Sequence, residues 1–317
     1  MSKILFIGGS LNVTTMMHQI AMHLSEHDVR FTPFYVDGPV LSTLRRLRLL
    51  EHTIISGRPR ALTLDYLQRH QLRLDDGGQD GGYDLVVMGT DVIVPDNVED
   101  KPIILVQEGM TDPENYRYHL VRLFGFPRYM ANTSVTGLSH LYQRFCVASN
   151  GFRKVFLKKG VKSDRMVVTG IPNFDNATSF FENDFPHRNY VLAATSCLRE
   201  NLKYENRKRF IQRSLQIAAG RKLIFKLHPN EDLNRARKEI AQQAPDAIVY
   251  SDGNTNHMIA NSDVLITRYS SVALLAAAMG KEIHSDLDPG WLEEVKPIQN
   301  GGTSAQRIAT VCREYLN

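Results

Sequence analysis

Three short clusters hold the residue types that could do chemistry. Glu108 closes the apolar run Ile103-Ile104-Leu105-Val106-Gln107 and is followed by Gly109. A carboxylate at the end of a buried strand takes a proton near neutral pH if burial raises its pKa. General base is one reading of Glu108, and a loop-bracing hydrogen bond is the other. Lys226-Leu227-His228-Pro229 ends a second apolar run, and Tyr269-Ser270-Ser271 ends a third, just before the alanine-rich stretch 272–279. Pro229 fixes the turn after His228, which suits His228 to contact a phosphate or to act as an acid. Lys226 lies one alternation away on the same strand face. Ser270 and Ser271 precede a helix, where serine either caps the end or joins the backbone N–H groups in holding a phosphate. The clusters together imply a diphosphate, and hence a nucleotide-activated donor.

The elements that must position these residues read as two series of alternating strands and helices. In the first half, strands are expected at 4–9, 30–36, 84–88, 103–107, 145–148 and 166–169, with helices at 14–25, within 41–74, and at 151–159. Met17, Ile20, Ala21 and Leu24 make one helical stripe behind an Asn12 or Thr14 cap. This order predicts a parallel sheet with right-handed crossovers. Gly170-Ile171-Pro172 marks a loop, and the second half restarts with strands at 190–194, 222–227, 247–250 and 264–267. The reading is α/β, with two Rossmann-like domains facing a cleft: 1–175, on the acceptor side, and 176–300, on the nucleotide side. Residues 301–317 form a helix that crosses back to the first domain. Ligands of such sheets bind at the carboxyl edge, where all three clusters fall.

Length and composition fit this reading and narrow the function. A chain of 317 residues suits two domains, and no apolar run approaches the roughly 20 residues that span a bilayer. The N-terminal apolar stretch is too short for a signal peptide, so a cytoplasmic enzyme is expected. The three cysteines, Cys146, Cys197 and Cys312, fit neither a disulfide framework nor a metal site. A net charge of +4, with acids interleaved, argues against nucleic acid as a partner. In Leu41–Leu50, Arg45, Arg46 and Arg48 sit among leucines. That segment is either a helix touching an anionic membrane, at the inner face, or one packing its leucines on the core. His18, His23 and His27 are unevenly spaced, and Asp286-Leu287-Asp288 follows the last strand, so no metal is expected. Gly8-Gly9-Ser10 after the first strand lacks the full dinucleotide fingerprint.

Several of these motifs resemble the GT-B superfamily. They are Val167-Val168-Thr169-Gly170-Ile171-Pro172-Asn173-Phe174-Asp175, Lys226-Leu227-His228-Pro229, and the run from Ser262 through Arg268-Tyr269-Ser270-Ser271-Val272 to Gly280-Lys281. Within it the chain is similar to CDP-glycerol glycerophosphotransferases, to capsule polysaccharide transferases and to non-hydrolysing UDP-GlcNAc 2-epimerases. Met88-Gly89-Thr90-Asp91, Gln107-Glu108-Gly109 and Pro113-Glu114 resemble the loops carrying the epimerases' acids. Thr195-Ser196-Cys197-Leu198-Arg199-Glu200-Asn201 matches their Thr-Gly-His-Arg-Arg-Glu-Asn without the histidine. Leu274 and Leu275 stand where that family has ribose-holding glutamates, and leucine accepts no hydroxyl proton. Arg268 stands where the phosphotransferases carry an aspartate, and Glu108 where a histidine is expected.

The resemblance implies a metal-independent glycosyltransferase that moves a sugar from a nucleotide-activated donor to a cell-envelope or capsular glycan, including a lipid-linked one, with no bound cofactor. Glu108 and His228 are the expected catalytic pair. Lys226, Arg268, Ser270, Ser271, Thr195 and Arg199 are expected on the donor phosphates, and Gly9, Ser10, Asp91 and Glu114 on the acceptor side. A CDP-polyol phosphotransferase, a UDP-sugar 2-epimerase and an inactive binding protein of the same fold remain as alternatives. The oligomeric state is left open.

Overall fold

The computed structural model describes residues 1–38, 43, 46–47, 53–200 and 204–316. The helix expected over Leu41–Leu50 lies outside the described residues apart from Thr43, Arg46 and Leu47, as does Asn201. The chain divides into two compact units, Met1–Asp175 with Asn300–Asn317, and Asn176–Gln299.

Unit 1 runs β1 (Lys3–Ile7), α1 (Leu11–Ala21), β2 (Asp28–Thr32), α2 (Gly57–Arg69), β3 (Leu85–Met88), β4 (Ile103–Val106), α3 (Tyr116–Phe124), β5 (Arg144–Val147), α4 (Asn150–Lys159) and β6 (Met166–Val168). Its six strands pair in the order β2-β1-β3-β4-β5-β6, every pairing parallel. The central strands LVVM and IILV are buried along their whole length, as expected of a parallel sheet covered on both faces. The order reverses between β1 and β3, and that crevice is where open sheets of this kind bind ligands. The cap of α1 is Ser10, not Asn12 or Thr14. Its hydroxyl accepts from the Val13 amide, so the helix begins one turn earlier than the sequence suggests.

Unit 2 runs β7 (Val191–Ala194), α5 (Arg207–Ala218), β8 (Leu223–Lys226), α6 (Leu233–Gln243), β9 (Ile248–Tyr250), α7 (Thr255–Asn261), β10 (Val264–Ile266), α8 (Val272–Ala278), β11 (Glu282–His284) and α9 (Pro289–Val295). All pairings in the order β11-β10-β7-β8-β9 are parallel. Here the order reverses between β7 and β10. The core gathers Val191, Ala193, Phe225 and Ile266 from the strands with Phe210, Ile211 and Ile240 from α5 and α6. Asp232 caps α6 and Asp288 caps α9, the latter with Pro289 at its first turn, the position where proline's missing N–H costs nothing.

The last helix, α10 (Ser304–Arg313), belongs to unit 1 and packs on α1. Asp175 holds its start, accepting the Ser304 amide at 2.7 Å while its own carbonyl accepts from Asn300 at 2.8 Å.

Candidate active site

At the switch point of unit 1, two glycines let α1 approach the strand ends. A Cβ on Gly8 would lie 2.8 Å from Thr14 Oγ1, and one on Gly89 would lie 2.7 Å from Val13 Cγ1. Thr14 and Thr63 hold the loop after β1. The Thr63 hydroxyl donates to the Gly9 carbonyl at 3.0 Å, and the Gly9 amide reaches Thr14 Oγ1 at 3.4 Å. Gly9 therefore shapes the loop and has no free amide for an acceptor. Ser10 then sits at the N-terminus of α1 and donates through Oγ to Glu108 Oε1 at 3.2 Å.

Glu108 itself is fixed from behind by Gln107, which sequence reading passed over. The Gln107 side chain donates to the Gly109 carbonyl at 2.8 Å and accepts from the Ala148 amide at 2.9 Å, tying the loop after β4 to the end of β5. Desolvation pushes the Glu108 carboxyl above the ordinary carboxylate range, and the Ser10 hydrogen bond pulls only partly the other way. The residue as a whole is half-buried, so a desolvated carboxylate still has an opening to water. That is the condition a general base needs.

Two other acids expected on the acceptor side, Asp91 and Glu114, have partners of their own. Asp91 is 1% exposed and spends both carboxylate oxygens on backbone, accepting the amides of Gly137 at 2.8 Å and Ser139 at 2.9 Å. It braces the 137–139 turn. Glu114 is exposed in the segment before α3, where its charge acts on Lys159 and Tyr118.

In unit 2 the turn after β8 is held by side chains. The His228 amide donates to Thr195 Oγ1 at 3.0 Å, and the Thr195 hydroxyl donates to Glu231 Oε2 at 2.5 Å. His228 Nδ1 accepts from the Asn230 amide at 3.1 Å, which leaves the proton of the neutral ring on Nε2. Burial lowers the proton affinity of His228, and nearby Lys226 lowers it further. His228 is thus a neutral N–H donor whose Nε2 lies 3.9 Å from Cys197 Sγ.

Much of the positive charge expected on the donor phosphates is spent within the protein. Arg199 grips Glu239 with both terminal nitrogens, at 2.7 and 2.9 Å. Buried Lys226 donates through Nζ to the carbonyls of Leu227 at 3.0 Å and Ser251 at 3.2 Å. Arg268 pairs through Nε with Asp286. Thr195 is 5% exposed and braces the His228 turn. Arg199, Lys226 and Thr195 thus each hold protein groups in this structure. Ser270 and Ser271 are only partly buried, and the Ser271 side chain makes no capping bond to α8.

Behind this turn lies a cluster that sequence reading missed. Glu231 is fully buried, Glu205 is 1% exposed and Arg207 3%. Arg207 Nη2 meets Glu205 at 2.9 Å and also Glu231, while Arg199 Nε reaches Glu205 at 3.4 Å. The charged run Arg199-Glu200 and the His-Pro-Asn-Glu spacing were the available signals. A cavity of about 480 Å³ also opens beside β11, between Arg213, Ile283, His284, Leu292 and Lys296, and none of the expected site residues lines it. Among the described residues no group of three or more His, Cys, Asp or Glu is placed to hold a metal ion.

No protein-family model matches the chain, and no curated protein matches it. Solved structures do. A UDP-GlcNAc 2-epimerase from Neisseria meningitidis, bound to UDP-GlcNAc, is similar over 98% of this chain and 100% of its own, with a TM-score of 0.59 at 15% identity. The S. aureus MnaA–UDP structure covers 100% and 97%, with a TM-score of 0.58 at 14%. The wall teichoic acid polymerase TagF covers 98% and 88%, with a TM-score of 0.54 at 12%. Likeness at such low identity carries the fold, and the fold is that of the GT-B group, an α/β chain of two Rossmann-like domains.

Proposed function

We propose that the chain is a cytoplasmic enzyme acting on a nucleotide-activated sugar, and that it transfers the sugar to a hydroxyl of a cell-envelope or capsular glycan acceptor. The observation that carries this reading is the Ser10–Glu108 pair, which joins the loop after β1, at the switch point, to a desolvated carboxylate at the carboxyl end of β4. Glu108 takes the proton of the acceptor hydroxyl as the acceptor oxygen bonds to the anomeric carbon. The bond from that carbon to the diphosphate oxygen breaks, and its electron pair leaves with the nucleoside diphosphate. In unit 2, the Nε2–H of His228 and the hydroxyls of Ser270 and Ser271 are donors suited to the phosphates of a nucleotide. Such donors act by meeting charge that develops during the reaction. Likeness to solved enzymes that work on UDP-sugars and on teichoic acid supports the substrate class.

The epimerase alternative draws support from the TM-scores of the epimerase structures, 0.58 and 0.59. Against it, Leu274 and Leu275 are 0% and 1% exposed, buried where the resemblance expects ribose-holding glutamates.

The test begins with a thermal-shift screen of UDP, GDP, CDP and CMP conjugates, since a ligand at ~100 times its dissociation constant adds roughly 2.7 kcal/mol. With the donor so found and a glycan acceptor, Glu108→Gln lowers turnover by roughly 10²–10⁴-fold and leaves the donor-induced shift unchanged. Normal turnover by Glu108→Gln removes the base assignment. Conversion of the donor to its 2-epimer without acceptor assigns the second reading instead.

A further inference from the structure

The helix α3 is apolar on two opposite faces. Tyr118 and Val121 pack inward with Ala131 and Val135. At about 100° per residue, Tyr116, Leu120, Leu123 and Phe124 fall on the opposite arc, and all four are exposed, Leu123 by 75% and Phe124 by 70%. The helix ends at Gly125, in the left-handed region at φ 68°, and the chain beyond it adds exposed Phe126 and Met130. A helix apolar on opposite faces is normally buried, and a contiguous exposed patch of this kind marks an interaction surface.

Charge identifies the occupant. Residues 112–165 carry ten lysines and arginines against three acids, Asp112, Glu114 and Asp164, a formal +7 in a chain whose total is +4. Arg122 Nη1 donates to the Lys159 carbonyl at 3.1 Å, which joins the end of α3 to the end of α4, where Leu157 and Lys158 are exposed. A second copy docking through the same patch would set one strongly basic face against another. An anionic bilayer satisfies both the apolar arc and the charge.

We propose that α3, the segment on to Met130 and the end of α4 form a docking face for an anionic lipid bilayer. The tyrosine, leucine and phenylalanine side chains enter the boundary between headgroups and acyl chains, and Arg117, Arg122, Arg128 and Lys158 meet lipid phosphates. The proposal is independent of the transferase reading, because its test reads binding and not turnover. The full chain is sedimented with vesicles of phosphatidylglycerol mixed with phosphatidylcholine, and with vesicles of phosphatidylcholine alone. Binding to the mixed vesicles and its loss as salt rises are expected. The double substitution Leu123→Asp with Phe124→Asp lowers vesicle affinity at least about tenfold, while Arg117→Gln and Arg128→Gln each lower it about fivefold. All these side chains are exposed or half-buried, so unchanged thermal melting confirms that the variants remain folded. Equal or absent binding to the two vesicle types, or full binding by the double variant, overturns the proposal. A dimer that the double variant dissociates also overturns it, by giving the face to a second copy.

Discussion

At the carboxyl edge of the unit 1 sheet a single desolvated carboxylate, Glu108, meets a single hydroxyl, whereas behind the edge of the unit 2 sheet five charged side chains, Arg199, Glu205, Arg207, Glu231 and Glu239, are tied to one another. The two edges have the same architecture, parallel strands ending at a switch point, but they use charge differently. In unit 2 two arginines hold three carboxylates and fix the turn that presents His228, although burial still raises the Glu231 carboxyl above its ordinary range. In unit 1 the carboxylate is left with too few partners to offset its burial, and its proton affinity rises. Burial is met by paired arginines in unit 2 and by a single hydroxyl in unit 1.

Removing Glu231 tests the braced edge most severely. Glu231→Ala strips the buried Arg207 of a carboxylate and Thr195 of its acceptor, and breaking a buried pair this way costs about 3–5 kcal/mol. Chemical denaturation is expected to show an early transition of unit 2. An Asp91→Ala variant of unit 1 is expected to lose less, about 1–3 kcal/mol for each amide it orphans. Equal losses would erase the contrast.

A smaller effect sharpens the reactive edge. Ser10→Ala removes the cap of α1, worth about 0.5–2 kcal/mol, and also the only side-chain hydrogen bond that lowers the Glu108 pKa. The Glu108 carboxyl then titrates at still higher pH, and the acid limb of the pH–rate profile moves up with it. An unmoved limb in a folded Ser10→Ala protein would detach Ser10 from the site.

The sheets were legible because parallel strands buried on both faces write themselves as unbroken apolar runs, and β3 and β4 do so. The position of Glu108 followed from the same rule. Its partner did not, since Ser10 lies 98 residues away and nothing local joins the two. The α1 cap was misplaced because Ser10, Asn12 and Thr14 are all capable caps, and only the packing of Gly8 and Gly89 against the helix start selects the first. The internal partners of Lys226 and Arg199 were not legible, since Ser251 and Glu239 lie 25 and 40 residues on.

The most direct test is the titration of Glu108 itself, followed as the carboxyl signal present in the wild type and absent from Glu108→Gln in carbon-detected NMR of glutamate-labelled protein. A raised pKa in the folded state means stability that is complete below the unfolded value and is lost as pH rises through the folded one. Glu108→Gln should accordingly raise the melting temperature at neutral pH and change it little in acid. The account predicts a midpoint above the ordinary glutamate range together with that neutral-pH stabilisation. A midpoint within the ordinary range, with a variant that is no more stable at neutral pH, would contradict it.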